Sequence, residues 1–379
     1  MVNPKFLFLF IFSTLLFACV EPFEINLNTK DKILFIEADL NNIDDNQSIT
    51  LQYNFPSNSS IEYVGIDNAK VEVIENGSNI ISCSFSSEGT YLLPTKFKTK
   101  IGAEYQLHFT LADGSEYKSS IETSQDVPPI SNVYSRFVSK SIAWEQSMLD
   151  GHEIFIDTKD NPTEGDFYLW QWKMYEKESY CISCQGGKYY NNPLPLGVCI
   201  DDANLKRRNI TYDYQCSGDC WDIIFSNKVN IMSDIYTNSG EIKNRLVAEI
   251  PFFQFKECVV EIQQFSISKS AFDYFNLIIQ QNQNNGSLAD TPPAGLIGNI
   301  KNINNSVEAV GGFFVVAAKT TYNYWLKRDD YANGTVPYGT LNGRAPSPEL
   351  AGADTSRPPF APCIESKTRT AVKPQGWLK

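Results

Sequence analysis

Histidine is scarce in this 379-residue chain, which contains only His108 and His152. This scarcity excludes histidine-rich metal sites and the zinc motifs that place two histidines close together. It also disfavours a catalytic triad, which needs at least one well-placed histidine. His108 lies between Leu107 and Phe109 in an alternating segment, so we interpret it as a residue of a strand face.

Basic charge is also low, with 32 Lys and Arg against 44 Asp and Glu and a net charge of −12. A nucleic-acid partner needs a basic face, so we expect none. The chain has no Gly-x-Ser-x-Gly, phosphate loop, dinucleotide fingerprint or zincin motif. We therefore expect no enzymatic activity and no cofactor. Hydrophobic residues make up 42% of the chain, which is enough for a sizeable core.

The longest apolar run near the start, Phe6–Phe17, is too short to span a bilayer, which takes about 20 helical residues. With Lys5 before it, the run reads as an export signal over residues 1–18. Ala18-Cys19 at its end resembles the lipobox of bacterial lipoproteins, which predicts lipidation of Cys19. The alternative is an ordinary secretory signal followed by an incidental cysteine.

The segment after Cys19 contains Glu21 and Glu24 and forms a predicted tether over residues 19–29. It resembles the acidic export signal of Bacteroidota surface lipoproteins, so we expect an outer-membrane, lipid-anchored protein that faces the cell exterior. A solvated tether on the periplasmic side is the alternative. Without residues 1–18 the chain has 31 basic and 44 acidic residues. A body with that net charge of −13 is repelled by anionic lipid head groups.

Short alternating segments recur from Ile33 to Ile121, with tight-turn signals at Asn76-Gly77 and Asp113-Gly114. Seven strands at this spacing predict an antiparallel β-sandwich of the immunoglobulin-like or transthyretin-like kind over residues 30–127. Pro128 and Pro129 cannot lie in a central strand, so they mark the predicted domain boundary.

Residues 128–379 are predicted to form a larger β-rich domain with one helix. Ser268 can cap that helix, which has helical apolar spacing as far as Asn284. We expect a loop over 286–305, a strand over 309–318 and loop-like chain after Lys319. Trp170 and Trp172 share one strand face, where core packing and a sugar-stacking platform are the alternatives.

Apart from Cys19, eight cysteines are present, and an even number in an exported chain favours disulfides. Five of them lie in an insertion over about 176–222, so at least one must pair outside it or stay free, and Cys363 is the proposed outside partner. Cys83 and Cys258 lie in strand patterns and are interpreted as buried thiols. A four-cysteine zinc site is the alternative. The disulfide candidates are Cys181, Cys184, Cys199, Cys216, Cys220 and Cys363.

Two groups of acidic residues could bind calcium, although neither has the ligand spacing of a known loop. Solvated acidic turns are the favoured interpretation, and no metal site is predicted. The groups are Asp157, Asp160, Glu164 and Asp166, and Asp201 with Asp202.

Several motifs together resemble the domain-of-unknown-function 4249 family of Bacteroidota lipoproteins over nearly the whole mature chain. The chain departs mildly from the family, with Gly312-Phe313-Phe314 where Gly-Tyr-Phe is expected. The motifs are Cys19-Val20-Glu21-Pro22-Phe23, Gly102-Ala103-Glu104-Tyr105, Asp113-Gly114, Tyr117, Cys220-Trp221, Gln264-Phe265-Ser266-Ile267-Ser268 before the Phe272–Gln280 helix, Pro292-Pro293-Ala294, Gly298-Asn299-Ile300, Gly311-Gly312-Phe313-Phe314 and Lys373-Pro374-Gln375-Gly376-Trp377.

The family has no established activity, but its members are typically encoded beside TonB-dependent outer-membrane transporters. The resemblance therefore implies a noncatalytic accessory lipoprotein of such a transporter that aids substrate capture. A surface adhesin or structural protein is the alternative, followed by a glycan or peptide hydrolase. The sandwich also looks similar to transthyretin-like domains, which are usually noncatalytic. Aromatic residues of the insertion are candidates to face a ligand, with packing around the disulfides as the alternative: Tyr189, Tyr190, Tyr212, Tyr214 and Trp221.

Overall fold

The computed structural model describes residues 32–56, 61–162, 164–192, 197–235, 239–283, 297–305, 308–341, 343–352 and 357–378. Strands account for 53% of the chain and helices for 6%, which confirms the predicted mainly-β class. Cys19, the predicted export signal over residues 1–18 and the predicted tether over residues 19–29 lie outside the described residues. In the part of the chain that is described, no helix is long and apolar enough to cross a membrane.

Two sheets form the N-terminal part of the molecule. Their strands are β1 (Ile33–Asn41), β2 (Ser48–Pro56), β3 (Ile61–Gly65), β4 (Lys70–Glu75), β5 (Asn79–Ser82), β6 (Ser84–Ser87), β7 (Thr90–Leu92), β8 (Glu104–Thr110), β9 (Glu116–Ser119), β10 (Glu122–Thr123), β22 (Ile300–Asn302) and β23 (Val310–Leu326). One sheet contains, in order, β6-β7-β2-β1-β23, with β3 beside β2, and the other contains β22-β9-β8-β4-β5, with β10 beside β8.

The two sheets pack face to face around one apolar core, as the predicted sandwich requires. In β8, Tyr105, Leu107 and Phe109 are fully buried and alternate with half-exposed residues, because successive side chains of a strand point to opposite faces. They meet Ile36 of β1 and Phe314 of β23 from the opposite sheet.

The elements of the C-terminal part are β11 (Ile130–Trp144), β12 (Ser147–Lys159), β13 (Phe167–Lys177), β18 (Trp221–Phe225), β19 (Asn230–Ser233), β20 (Glu241–Pro251), β21 (Cys258–Ile267), helix α2 (Lys269–Gln283) and β24 (Arg369–Thr370). Beyond β23, the sheet that contains β1 continues in the order β23-β21-β13-β18-β24, with β19 also paired to β13. A separate sheet of β11, β12 and β20 packs against β13.

Buried residues of both layers fill the space between the β11–β12–β20 sheet and β13. Among them are Ile154 and Ile250 on one side and Trp170, Met174 and Val260 on the other. Helix α2 covers the opposite face of β13, where Phe272 packs on Phe167 with ring centroids 4.9 Å apart. The Ser268 hydroxyl accepts a hydrogen bond from the Ala271 N–H (3.2 Å), as expected for its capping role.

Strand β23 belongs to both parts of the molecule. Val310–Ala317 runs parallel to β1, and Ala318–Leu326 runs antiparallel to β21. The expectation of loop-like chain after Lys319 is therefore wrong as far as Leu326. Most side chains from Thr320 to Trp325 are exposed or half-exposed, so this half of the strand lacks an apolar alternation. Because β22 and β23 complete the sandwich, chain beyond the boundary at Pro128 contributes to the N-terminal core.

The insertion contains two small two-stranded sheets and a short helix. Its elements are β14 (Tyr180–Gln185), β15 (Gly187–Tyr190), β16 (Val198–Asp201), helix α1 (Ala203–Arg207) and β17 (Thr211–Gln215). β14 pairs with β17, and β15 pairs with β16.

Candidate binding surface on the cysteine-rich insertion

Three disulfides hold the insertion together and use all six candidate cysteines. Cys181 pairs with Cys216, Cys184 with Cys199, and Cys220 with Cys363 of the C-terminal tail. The proposed outside partner Cys363 therefore closes a link across 143 residues. The zinc alternative is wrong in this structure, because zinc needs thiolates and all four proposed ligands are in disulfides.

Cys83 and Cys258 carry free thiols. Cys258 is buried in the C-terminal core, as expected, whereas Cys83 is only half-buried and packs against the N-terminal core. Burial, together with nearby Glu72, raises the pKa of Cys83 to about 12. Burial likewise raises the pKa of the fully buried Cys258. A nucleophilic cysteine needs a lowered pKa, so neither thiol has the environment of a reactive group.

Tyr189 and Tyr214 pack inside the insertion rather than facing solvent. Each is 1% exposed, and their ring centroids are 5.4 Å apart. The Tyr214 hydroxyl donates to Glu349 of the tail (2.6 Å), which Arg357 also contacts. Burial is the main cause that raises the pKa of Tyr214, so this hydroxyl stays protonated. These two rings fit the packing alternative and not a ligand-facing role.

Trp221 is also 1% exposed, so it too fails as a ligand-facing residue. Its ring meets Trp377 of the tail edge-on at 5.5 Å, and Trp377 meets Trp325 of β23 at 5.1 Å. The Cys220-Trp221 and Gly376-Trp377 motifs therefore join the tail to the β-sheet.

One face of the β15–β16 pair does point outward. Tyr190 lies opposite Val198 and Lys188 opposite Ile200, so these four side chains share a side. Tyr190, Val198 and Ile200 are 40%, 44% and 50% exposed. Arg357 lies over the Tyr190 ring at 4.3 Å. We call Lys188, Tyr190, Val198 and Ile200 the ribbon face.

Tyr212, the last of the candidate ligand-facing aromatic residues, is half-buried beside the disulfide core.

A groove of about 600 Å³ runs between the insertion, β18 and the tail. Its apolar wall includes Trp144, Phe253 and Tyr338, and Trp144 meets Phe253 edge-on at 5.4 Å. Arg369 crosses its floor, where Nε donates to Asp222 (2.6 Å) and Nη1 to the Cys181 carbonyl (2.8 Å). Sequence reasoning missed this groove, since Trp144 lies at a hairpin end and Tyr338 in loop-like chain.

The interpretation as a solvated acidic turn is wrong for Asp160 and Asp166, because both residues are buried. Oxygens of Asp160 and Asp166 lie within 4.8 Å of each other and of Asp234, and all three residues are buried. Carboxylate oxygens are the ligand type that Ca²⁺ takes. Tyr168 donates to Asp160 (2.5 Å), and the Gly165 N–H donates to Asp234 (3.0 Å).

Three of the remaining acidic candidates, Asp157, Asp201 and Asp202, have local structural partners. Asp157 accepts from the Asn244 N–H (2.9 Å), and this bond lowers its pKa. Asp202 caps helix α1, and Asp201 forms an ion pair with Lys206 (2.5 Å). Glu164 is not part of the Asp160 cluster.

Three further residues lie where a packing interpretation places them. His108 is on β8, with Glu72 and Glu116 at 3.7 and 4.0 Å. Trp170 and Trp172 are buried in the C-terminal core, and both residues also line a cavity.

A family model described as Domain of unknown function (DUF4249) matches residues 20–323, which is more than half of the chain. The chain belongs to this family. No curated protein and no solved structure matches the chain.

Proposed function

We propose that this member of the DUF4249 family is a noncatalytic outer-membrane lipoprotein that faces the cell exterior and serves as an accessory subunit of a TonB-dependent transporter. The observation that carries the proposal is Cys19, which follows Ala18 at the end of the apolar run and precedes Glu21 and Glu24. A lipidated N-terminal cysteine with three acyl chains exceeds the two signals needed for stable anchoring.

The ribbon face supports a protein partner. Val198 and Ile200 expose apolar surface that a partner would bury, and exposed apolar patches commonly mark interaction sites. Within the described residues, β16 pairs only with β15, so its outer edge can accept a strand from another chain. The Cys184–Cys199 disulfide joins β16 to β14. This link restrains β16 before it binds a partner and therefore lowers the conformational entropy lost on binding.

Affinity capture tests the proposal. The tagged, lipidated protein is extracted from native outer membrane in mild detergent, captured and analysed by mass spectrometry. We expect one TonB-dependent transporter in stoichiometric amount. Cys19→Ala should move the protein out of the membrane fraction, because the lipid is the proposed attachment.

A matched pair of variants locates the contact. Val198→Asp with Ile200→Asp places two charges on the ribbon face and should abolish capture of the transporter. Ile80→Asp introduces a charge at a 59% exposed site on β5 and should leave capture intact. Recovery of the wild-type protein without a stoichiometric transporter overturns the accessory role, and membrane retention of Cys19→Ala overturns the anchor.

A further inference from the structure

A second cavity, of about 310 Å³, lies between the β11–β12–β20 sheet and β13. Three tryptophans line it, Trp144 from β11 and Trp170 and Trp172 from β13. Ligand pockets commonly measure about 300–1,000 Å³, so this cavity matches one sugar or one amino-acid-sized group.

Arg245 of β20 reaches this cavity because the strand is irregular there. Ile156 of β12 pairs with Arg245, but Thr158 pairs with Ile242, so β20 carries one extra residue between the two pairs. Asn244, in this bulge, has a positive φ of 53°. A bulge re-aims the side chains beside it, and here it places the Arg245 guanidinium 4.9 Å from the centre of the Trp170 ring.

Within the part of the chain that is described, the guanidinium of Arg245 is held only by neutral groups. Its Nη2 donates to the Asn230 side-chain oxygen and to the Ile231 carbonyl (3.1 Å), while its buried Nε has no hydrogen-bond partner among the described residues. Among the described residues, no carboxylate lies within ion-pair distance of it, and burial lowers its pKa. A half-buried cation without a counter-ion is partly desolvated, so an anionic ligand would be stabilised here.

Among the described residues, the other charged side chains that line the cavity form an ion pair, so their charges cancel. Lys228 pairs with Glu249 at 2.5 Å. Counted over the described residues, the cavity wall therefore carries a net positive charge from Arg245, in a chain whose net charge is −12. Such local inversion of charge attracts an anion to this site rather than to the surrounding surface.

We propose that this cavity binds a small organic carboxylate whose ring-shaped or flat body packs against the tryptophans. A guanidinium matches a carboxylate in size and geometry, and aromatic faces pack against planar or ring-shaped groups. The inference stands apart from the transporter proposal, because it concerns a cavity away from the ribbon face and needs no partner.

Matched pairs of acids and neutral analogues provide the test. Glucuronate is compared with glucose as an acidic-sugar source, and phenylacetate with phenylacetamide as an aromatic-acid source. Binding to the folded, disulfide-bonded chain is followed by tryptophan fluorescence and calorimetry. We expect at least one acid to bind about tenfold or more tightly than its neutral analogue, since the charged group is what Arg245 recognises.

Variants assign the binding to Arg245. Arg245→Met should weaken binding of the acid at least tenfold, and Arg207→Met, at an exposed arginine of α1, should leave it unchanged. Two partly exposed residues test the charge balance without altering the core. Lys228→Met leaves Glu249 unpaired and should weaken acid binding, whereas Glu249→Gln should strengthen it.

Three results overturn the inference. The first is that neither acid binds at millimolar concentration. The second is equal affinity for an acid and its neutral analogue. The third is unchanged acid binding in Lys228→Met and Glu249→Gln, which remains decisive if Arg245→Met does not fold. That last result would leave Arg245 as a packing partner of Trp170.

Discussion

Cys220 and Cys363 form a disulfide that ties the end of the insertion to a tail 143 residues further along the chain. Cys220 is fully buried, and its neighbour Trp221 packs on Trp377 of the same tail. The tail is therefore part of the insertion's core, although it contains little regular secondary structure.

Removal of this link should loosen the tail and destabilise the protein. Cys220→Ala with Cys363→Ala is expected to lower the free energy of unfolding by about 2–5 kcal/mol, because a long loop is released in the unfolded chain. Urea unfolding gives the size of the loss. Hydrogen exchange should show faster exchange in residues 357–378.

Cys83→Ala is the matched control for the disulfide, since it removes a half-buried thiol that forms no bridge. This variant should lower the free energy of unfolding by about 1 kcal/mol or less, as expected for a small truncation at a half-buried site. If the double variant costs no more than this control, the link does not stabilise the tail.

The cysteine pattern allowed much of the insertion to be predicted from the sequence, because five clustered cysteines and one distant one restrict the possible pairs. The sequence did not show which of these cysteines pair with each other, because the pairing depends on how the fold brings them together. Other features depend on contacts between distant segments, which no local pattern encodes. Val310 pairs with Leu34, and the bulge at Asn244 turns Arg245 toward Trp170.

The Gly311-Gly312 motif has a structural explanation in the parallel pairing of β1 with β23, where Gly312 lies opposite Ile36. Gly312 has a positive φ of 85°, and a Cβ built on it would lie 1.8 Å from the Ile36 carbonyl oxygen. Gly312→Ala should therefore lower the free energy of unfolding by more than about 3 kcal/mol, since backbone strain and a backbone clash act together. Urea unfolding of purified protein measures the difference.

Gly114→Ala separates those two causes. Gly114 has the same φ of 85°, but a Cβ on it would meet no atom of the described residues within 4 Å. It should cost only about 1–2 kcal/mol, the usual penalty for the left-handed region. Equal losses in the two variants would show that close packing at Ile36 contributes nothing.

Glu176 and Arg328 form an ion pair with both side chains fully buried. Gln254 also donates to Glu176 (2.7 Å), and Arg328 donates to the Lys256 carbonyl (3.1 Å). Arg328→Met leaves a buried carboxylate without its counter-ion and should cost about 3–5 kcal/mol.

The double variant Glu176→Met with Arg328→Met tests whether that loss comes from the unpaired charge. It should be more stable than Arg328→Met alone, because neither charge then remains in the core. Urea unfolding of the two single variants and the double variant completes the cycle. Additive losses would mean that the two side chains do not interact energetically.

His152 is predicted to make the protein less stable in mild acid. The ring is fully buried, its Nε2 lies 2.8 Å from Asp330, and its Nδ1 has no hydrogen-bond partner among the described residues. Burial is the largest effect on its pKa and lowers it, and nearby Arg328 acts in the same direction, so the pKa is lowered despite the opposing effects of Asp330 and Asp329. The folded protein therefore holds this proton less tightly than the unfolded chain, whose histidine has a pKa near 6.5.

Stability from the neutral ring should thus be fully present above about pH 6.5 and decline as the pH falls toward the folded-state pKa. His152→Gln keeps a donor for Asp330 but does not titrate. The wild-type protein should lose stability relative to this variant between pH 8 and pH 5, measured by urea unfolding. Asp330→Asn removes the group that favours the protonated ring, so its decline should be steeper than that of the wild type. A wild-type advantage over His152→Gln that grows in acid would instead mean that the ion pair with Asp330 outweighs burial.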